Sequence, residues 1–414
     1  MDVEASIAAV WRIESARLIA GVARIVRDVG TAEELAQDAL VAALETWPTT
    51  GLPDNPGAWL MTTAKRKAID RIRHLKRADE KHQQIAREVE PERPDLEAAL
   101  DDDVGDDLLR LVFTACHPVL SPESRVALAL RVLGGLTVPE IARAFVVPES
   151  TMAQRLVRAK KALAGVPYEI PRGDELAARL QSVLEVIYLI FNEGYSATAG
   201  DDLMRPGLCS DALRLGRIVA GLMPQEAEVH GLVALMEIQA SRQAARTTST
   251  GEPILLLDQD RSRWDRLLIR RGLAALATAE GLGPRGPYAL QAALAAHHAR
   301  AATAEDTDWA GIVAVYGELM AIAPSPIVEL NRAVAVGMAF GPAMALPIVD
   351  AIVRGGVLAS YHLLPTVRGD LLAKLGRHAE AVREFERAAE MTRNAREREV
   401  LLGRAATSRA ATSS

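Results

Sequence analysis

A chain of 414 residues with 49% hydrophobic and only 4% aromatic side chains has the material for two to four domains with real cores, and its wealth of Ala and Leu favours packed helices over sheets. Two cysteines, Cys116 and Cys209, imply no disulfide framework. No run reaches the roughly 18 apolar residues of a membrane span, and the first residues (MDVEASIAAVWRIESARLIA) lack the pattern of a secretory signal, so no membrane association is expected and the protein is expected to be cytoplasmic. The formal net charge of −6 argues against a protein that holds nucleic acid by bulk charge alone.

From Asp2 to Asp28 the apolar residues fall three or four apart and predict a helix. Thr31 is the expected N-cap of a second, with Glu34 completing a capping box, and that helix reaches about Trp47. Residues 48–57 (PTTGLPDNPG) are dense in breakers and predict a loop. A long helix then begins near Pro56 and runs at least to His74. Its apolar side is Trp59, Leu60, Ala64, Ala68, Ile69 and Ile72, and its cationic side is Lys65, Arg66, Lys67, Arg71, Arg73, Lys76 and Arg77. Read alone, that cationic side is either a solvated face or a nucleic-acid contact.

Charge then reverses. Residues 59–87 hold nine Lys/Arg against three Asp/Glu, whereas residues 88–107 (EVEPERPDLEAALDDDVGDD) hold ten Asp/Glu against one Arg. The acidic stretch has prolines and few large apolar residues, which predicts a solvated linker. A second helical domain follows over 108–164, then a linker over 165–174, and residues 175–414 form a helical extension. Near the end, Gly369, Gly376, Ala381, Phe385 and Ala388 match the small-residue spacing of a 34-residue helical-hairpin repeat.

The second domain contains EIARAFVVPESTMAQRLVRAKKAL, which reads as a helix-turn-helix. Leu136 to Phe145 gives the first helix, with Ile141 and Ala142 inward, and Val146–Pro148 the turn. Glu149 or Ser150 is the expected cap of the second helix. There, Met152, Leu156, Ala159 and Leu163 repeat at helical spacing and predict a buried stripe. Ser150, Thr151, Gln154, Arg155, Arg158 and Lys161 fall on the remaining surface, and such residue types read base edges or grip phosphate. An ordinary helical hairpin with a basic solvated face is the alternative.

Three segments in order, AEELAQDALVAALETW, NPGAWLMTTAKRKAIDRIRH and LSPESRVALALRVLGGLTVPEIARAFVVPESTMAQRLVRAKKAL, resemble regions 2.2, 2.3–2.4 and 4 of the extracytoplasmic-function group of sigma-70 RNA polymerase sigma factors. VIYLIFNEGYSATAG, GPYALQAALAAHHA and LAKLGRHAEAV resemble a subgroup with a C-terminal tetratricopeptide-type extension. The resemblance implies an all-α protein: a region 2 bundle over 1–87, a region 4 helix-turn-helix domain over 108–164 and a repeat-like C-terminal domain. It implies core RNA polymerase and promoter DNA as partners. Glu34, Leu35, Gln37, Asp38 and Val41 would dock on the clamp helices of the largest subunit, and the flap region is a further contact. Lys65, Arg66, Arg71, Arg73 and Asn55 would meet the −10 element, whose opening extrudes a base, and the helix-turn-helix the −35 element. Arg66 stands where many members carry Asn. The acidic segment would thread towards the polymerase active centre or serve as a passive spacer. The extension would control activity and could take a peptide or protein partner.

The resemblance also accounts for the acidic total, because core polymerase would tether each weak DNA contact at high effective concentration. Cys116 and His117 lack partners at zinc spacing, and no phosphate loop, dinucleotide turn or supported carboxylate pair is present, so no metal, cofactor or enzymatic activity is expected. A stand-alone regulator with a ligand- or partner-sensing helical domain is the competing expectation, and a helical-repeat scaffold without DNA the third.

Overall fold

The computed structural model describes residues 3–83, 104–195, 204–248, 254–392 and 395–412. Their regular elements are helices, grouped in two compact units, Met1–Pro224 and Gln225–Ser414.

In the first unit, α1 (Val3–Val26) is buried without interruption from Leu18 to Ala23, which requires neighbours on every side. On one side, α2 (Val29–Thr50) lays Ala32, Leu35, Ala36, Ala39, Ala43 and Trp47 inward, and its alanines allow close approach of the helix axes. Helix α3 (Pro56–Gln83) adds Leu60, Ala64 and Ala68 at four-residue spacing.

Two expectations for this bundle are corrected. The cap of α2 is Asp28, whose Oδ1 accepts from the Thr31 amide at 2.6 Å, so Thr31 lies inside the helix. Helix α2 also continues through Pro48 to Thr50, leaving 51–55 as the loop. Pro48 deprives the Leu44 carbonyl of a donor, but Leu44 is at the surface, where water can serve it. The hydroxyls of Thr49 and Thr50 bond back to the Thr46 carbonyl.

The other side of α1 receives α4 (Val104–Ala115), followed by α5 (Pro122–Val132), α6 (Val138–Ala144), α7 (Glu149–Leu163), α8 (Asp174–Tyr195) and α9 (Pro206–Leu222). The expected acidic linker lies outside the described residues up to 103. Its last four residues open α4, where the helix dipole favours Asp106 and Asp107. Asp107 is buried and pairs with Arg110 at 2.8 Å and Arg24 of α1 at 3.3 Å.

The segment 165–174 is tied down as well. The Tyr168 hydroxyl lies 3.2 Å from the Ala20 carbonyl oxygen and 3.0 Å from that of Asp107, its one proton serving one of them at a time. Burial pushes the Tyr168 hydroxyl well above its ordinary pKa.

The sequence places the start of the extension at 175, whereas the compact units divide after Pro224. The reason is a shared core. A small apolar cavity draws its wall from α1 (Ala16), α4 (Val112), α5 (Ala129), α8 (Val183, Ile187) and α9 (Val219). Polar contacts run along the same seam. Arg125 donates to Ser182 at 2.5 Å and Glu185 at 3.0 Å, Ser182 to the Cys116 carbonyl at 2.7 Å, and Arg179 to the Phe113 carbonyl at 2.9 Å.

The second unit runs through α10 (Ala227–Ala240), α11 (Arg266–Leu282), α12 (Pro287–Arg300), α13 (Trp309–Ile322), α14 (Pro326–Phe340), α15 (Pro342–Gly355), α16 (Leu363–Lys374), α17 (His378–Met391) and α18 (Ala395–Thr412). Neighbours in sequence are neighbours in space. In the α16–α17 hairpin the expected small residues do meet the aromatic one: a Cβ on Gly369 would lie 2.8 Å from the Phe385 ring, and Gly376 makes the turn at φ +74°. Arg261 closes the α10–α11 connection on α12, donating to the carbonyls of His298 and Ala301 at 2.8 Å each and to Thr307 at 3.0 Å.

Helices α8 and α9 bury Leu180, Val183, Ile187, Ile190, Phe191 and Val219, among others. Six such side chains at about 1.5–3 kcal/mol each rival the whole ~5–15 kcal/mol stability of a domain. A chain ending at residue 224 should therefore melt cooperatively, and one ending at 168 should not. Circular-dichroism melts of the two check this, and equal cooperativity would refute a shared core.

Candidate nucleic-acid interface

The helix-turn-helix is built by local rules. Thr137 and Glu140 form a capping box at α6: the Thr137 hydroxyl oxygen accepts from the Glu140 amide, and the Glu140 carboxylate accepts from the Thr137 amide at 2.8 Å. Arg12 of α1 donates to the same carboxylate at 2.8 Å. Burial alone would raise the pKa of Glu140, but the hydrogen bonds from Thr137 and the Arg12 guanidinium hold it below its ordinary value. A lowered carboxylate pKa favours the fold at neutral pH, and that contribution is lost as pH falls through the lowered value.

Ile141 and Ala142 are buried, as are Met152, Leu156, Ala159 and Leu163, the stripe read from the sequence. The turn puts Val146 at φ +50°, an uncommon conformation for a β-branched residue, with its side chain largely exposed. Neither Glu149 nor Ser150 caps α7; the N-cap is Pro148, without a side-chain bond. That leaves the first amides of α7 without a capping side chain and open to an anionic partner.

Ser150, Thr151, Gln154, Arg158 and Lys161 are exposed, and Arg155 is half-buried. Arg155 also lies near Glu123. That carboxyl is held below its ordinary pKa first by its own backbone amide and then by the Ser121 hydroxyl, with a smaller contribution from Arg155. Arg158 is thus the less encumbered guanidinium of the two.

Across the unit, Arg66, Arg71 and Arg73 lie exposed along α3 and Lys65 is half-buried. Arg73 makes a loose, exposed pair with Asp70 at 3.9 Å. Asn55 is exposed but already occupied, its Oδ1 accepting from the Ala58 amide at 3.0 Å, so it caps α3 and has its amide nitrogen left for any other contact. Trp47 is buried in the bundle core, and the half-buried Trp59 meets it edge to face at 5.3 Å.

On α2, Glu34, Asp38 and Val41 are exposed, with Leu44 and Glu45 continuing the same mixed apolar and acidic surface. Leu35 is 4% exposed, which removes it from any docking face, since its side chain packs against the bundle. Gln37 is half-buried and donates to Glu33.

Glu33 was not singled out from the sequence, where it is one acid among several in AEELAQD. It is 2% exposed, and its carboxylate accepts from Arg131 of α5 at 2.6 Å and lies 2.5 Å from Lys160 Nζ of α7. Lys160 was likewise overlooked beside Lys161. Nothing in one-dimensional periodicity distinguishes a carboxylate that will be buried by a helix 98 residues away.

The two parts of the unit correspond to two family models. Sigma-70 region 2 matches residues 13–78 and Sigma-70 region 4 matches residues 110–163. A family of unknown function matches residues 179–280. The ECF RNA polymerase sigma factor SigK of Mycobacterium ulcerans (strain Agy99) is 32% identical over 149 residues, covering 34% of this chain and 75% of that protein. SigK of Mycobacterium bovis (strain BCG / Pasteur 1173P2) is 30% identical over 168 residues, covering 39% and 84%. The chain belongs to the ECF RNA polymerase sigma factor family. An uncharacterized protein of Rhizobium meliloti (strain 1021) is 42% identical over 378 residues, covering 90% of this chain and 89% of the relative, so that likeness runs through the C-terminal helices too.

This sigma factor therefore belongs to a non-catalytic class of transcription proteins whose general role is promoter recognition. Among its described residues no helix is long and apolar enough to cross a membrane. Replacing Arg158 by Ala should cost on the order of 1–3 kcal/mol of promoter binding if it meets a base, and Arg155→Ala should cost less. Binding of the polymerase-loaded variants to promoter DNA measures both. Normal transcription from the double variant would remove α7 from promoter reading.

Proposed function

We propose that this sigma factor docks on the clamp helices of the largest subunit of core polymerase through Glu34, Gln37, Asp38 and Val41, and there directs initiation. The observation that carries this reading is the α2 surface itself. Val41 is 51% and Leu44 42% exposed beside Glu34, Asp38 and Glu45, on a helix whose opposite side is fully packed. An apolar strip rimmed by carboxylates suits a partner helix that offers aliphatic and basic side chains.

In the same reading, the cationic face of α3 and the loop 51–55 meet the −10 element, and the exposed face of α7 meets the −35 element. The cation supply is local and modest in a protein of net charge −6, so polymerase has to provide most of the binding energy and the geometry. The extension is a tetratricopeptide-type array that is required for activity, and it acts in the cytoplasm with no membrane partner. Its first two helices support this, since α8 and α9 share the core of the helix-turn-helix bundle, and Arg214 and Arg205 reach the carbonyls of Gly134, in the turn after α5, and Ala144, the last residue of α6. Beyond α9, stacked helix pairs offer a surface suited to a peptide or protein partner.

Free protein should bind promoter DNA weakly and without selectivity, and core polymerase should make binding specific. Gel-shift titration with and without core tests this; tight specific binding by the free protein at physiological salt would favour a stand-alone regulator.

The docking face is tested with the full-length double variant Asp38→Lys, Val41→Asp. Both positions are exposed, so the fold should hold while capture of core polymerase falls at least 10-fold, on the order of 1.4 kcal/mol. Unchanged capture would show that polymerase docks elsewhere.

A further inference from the structure

We propose that Arg205, oriented by Glu193, is a positioning residue for promoter reading: it fixes the α6–α7 turn and with it the angle at which α7 is presented. The proposal rests on the assignment of α7 to the −35 element above and deepens it, because it makes the first two helices of the extension part of the DNA-reading head.

Helix α6 has little to hold it in place by itself. It has seven residues, too few for a helix to persist alone, and it buries only Ile141 and Ala142. The capping box and Arg12 secure its N-terminal end. At the other end, the carbonyls of residues 141–144 need partners outside the regular helix. That of Ile141 accepts from the Phe145 amide at 3.1 Å, that of Arg143 from Val146 at 3.3 Å and that of Ala142 from Val147 at 3.0 Å. Continuing the helix could not serve Ala144, since the residue four on is Pro148, which has no N–H. Its carbonyl accepts instead from the Arg205 guanidinium of the extension.

The bonds made by Val146 and Val147 are those of a motif that ends helices on a left-handed residue, a place ordinarily taken by glycine. Here that residue is Val146 at φ +50°, where a β-branched side chain is crowded. Such a conformation persists only where the surroundings enforce it. The motif's own bonds leave out Ala144, and Arg205 supplies that last constraint.

Arg205 is itself firmly held. Its side chain and that of Glu193 are largely buried, and its Nη1 donates both to the Glu193 carboxylate and to the Ala144 carbonyl. A charged pair withdrawn from water is strong and directional, so Glu193 sets where the guanidinium points. The backbone beneath is rigid as well. The Arg205 amide donates to the Gly194 carbonyl at 2.7 Å, and the Arg205 carbonyl accepts from Leu208 at 3.0 Å. Gly194 lies so close to α9 that a Cβ would come within 2.6 Å of the Cys209 nitrogen. Farther along α9, Arg214 donates to the Gly134 carbonyl at 3.0 Å, in the turn before α6. The extension thus holds the connections on both flanks of α6, and Arg205 holds the one that leads into α7.

A helix-turn-helix reads bases with the first residues of its second helix. In α7 these are Ser150, Thr151 and Gln154, and no side-chain cap fixes the start of that helix. A shift in the turn therefore tilts them together. Base-edge contacts depend on such angles more than phosphate contacts do, so the choice of sequence suffers before the general hold on DNA.

The test uses the full-length chain. Arg205→Gln alone would strand the Glu193 carboxylate, so it is combined with Glu193→Gln, and thermal melts check folding. Hydrogen exchange of the free protein should be about 5-fold faster over residues 144–152 in this double variant than in the parent. With core polymerase, the ratio of binding to the promoter over binding to one whose −35 element is replaced should fall about 5-fold. A fold defect lowers the active fraction and leaves that ratio unchanged. Adding Val146→Gly, which removes the crowding from the turn, should restore the ratio and the slow exchange. Glu193→Gln alone should move both readouts in the same direction by less, and it decides the matter if the double variant does not fold.

Unchanged exchange or an unchanged ratio in a folded variant overturns the proposal, as does failure of Val146→Gly to restore the ratio. Parent polymerase that ignores replacement of the −35 element removes the assignment of α7 and the link to promoter reading. Exchange, measured without DNA, then still shows whether Arg205 holds the turn.

Discussion

Helix α1 is the member on which the N-terminal unit depends. Its run from Leu18 to Ala23 is buried on all sides. Two sides of that cylinder are spent on α2 and α3, as a three-helix bundle requires. The rest is covered by α4 and by the core that α4 shares with α5, α8 and α9. A bundle of α1–α3 alone would leave Ala16 facing water. Tyr168 covers the same stretch from the segment after α7, binding at the Ala20 carbonyl. The region 2 and region 4 helices are thus assembled around one apolar helix, and the first part of the extension is drawn into that assembly.

This constraint explains which features were legible in the sequence. The helix-turn-helix was legible because its stripe, Met152, Leu156, Ala159 and Leu163, is local and its period is set by helix geometry alone. The cationic side of α3 and the Gly369–Phe385 interdigitation were legible for the same reason. The boundary at 224 was not, because the turn-rich segment 165–174 has the composition of a linker and its attachment depends on one hydroxyl meeting two distant carbonyls. Thr31 was the natural cap by residue type, but Asp28, three residues earlier, satisfies the amide first and lengthens the helix. Leu35 looked equally suited to a docking face or to a core, and only the position of α1 decides that it is core.

Charge shows the same division between local and non-local information. The total of −6 and the run of cations on α3 can be counted along the chain. Which charges remain available cannot. Lys160 and Lys161 are adjacent and chemically identical, yet one is drawn onto Glu33 and the other is exposed. Arg155 and Arg158 lie one helical turn apart, yet Arg155 shares its field with Glu123. The effective cationic surface of α7 is therefore smaller than its composition suggests.

A buried ion cluster is an inefficient way to hold two domains together if stability is the only demand. Desolvating a carboxylate costs several kcal/mol, and well-packed apolar residues in its place often do as well or better. The apolar half of the junction already supplies cohesion, so the charged half is retained for a property that apolar packing lacks. Apolar contacts respond to little besides temperature and surface area, whereas an ion pair responds to any third group that alters its partners or its solvation. Gln37 of the same helix donates to Glu33 as well, so one buried carboxylate gathers partners from α2, α5 and α7. Apolar and charged contacts thus divide the junction between them, the first shared with α4, α8 and α9 and the second directed towards α5, α6 and α7.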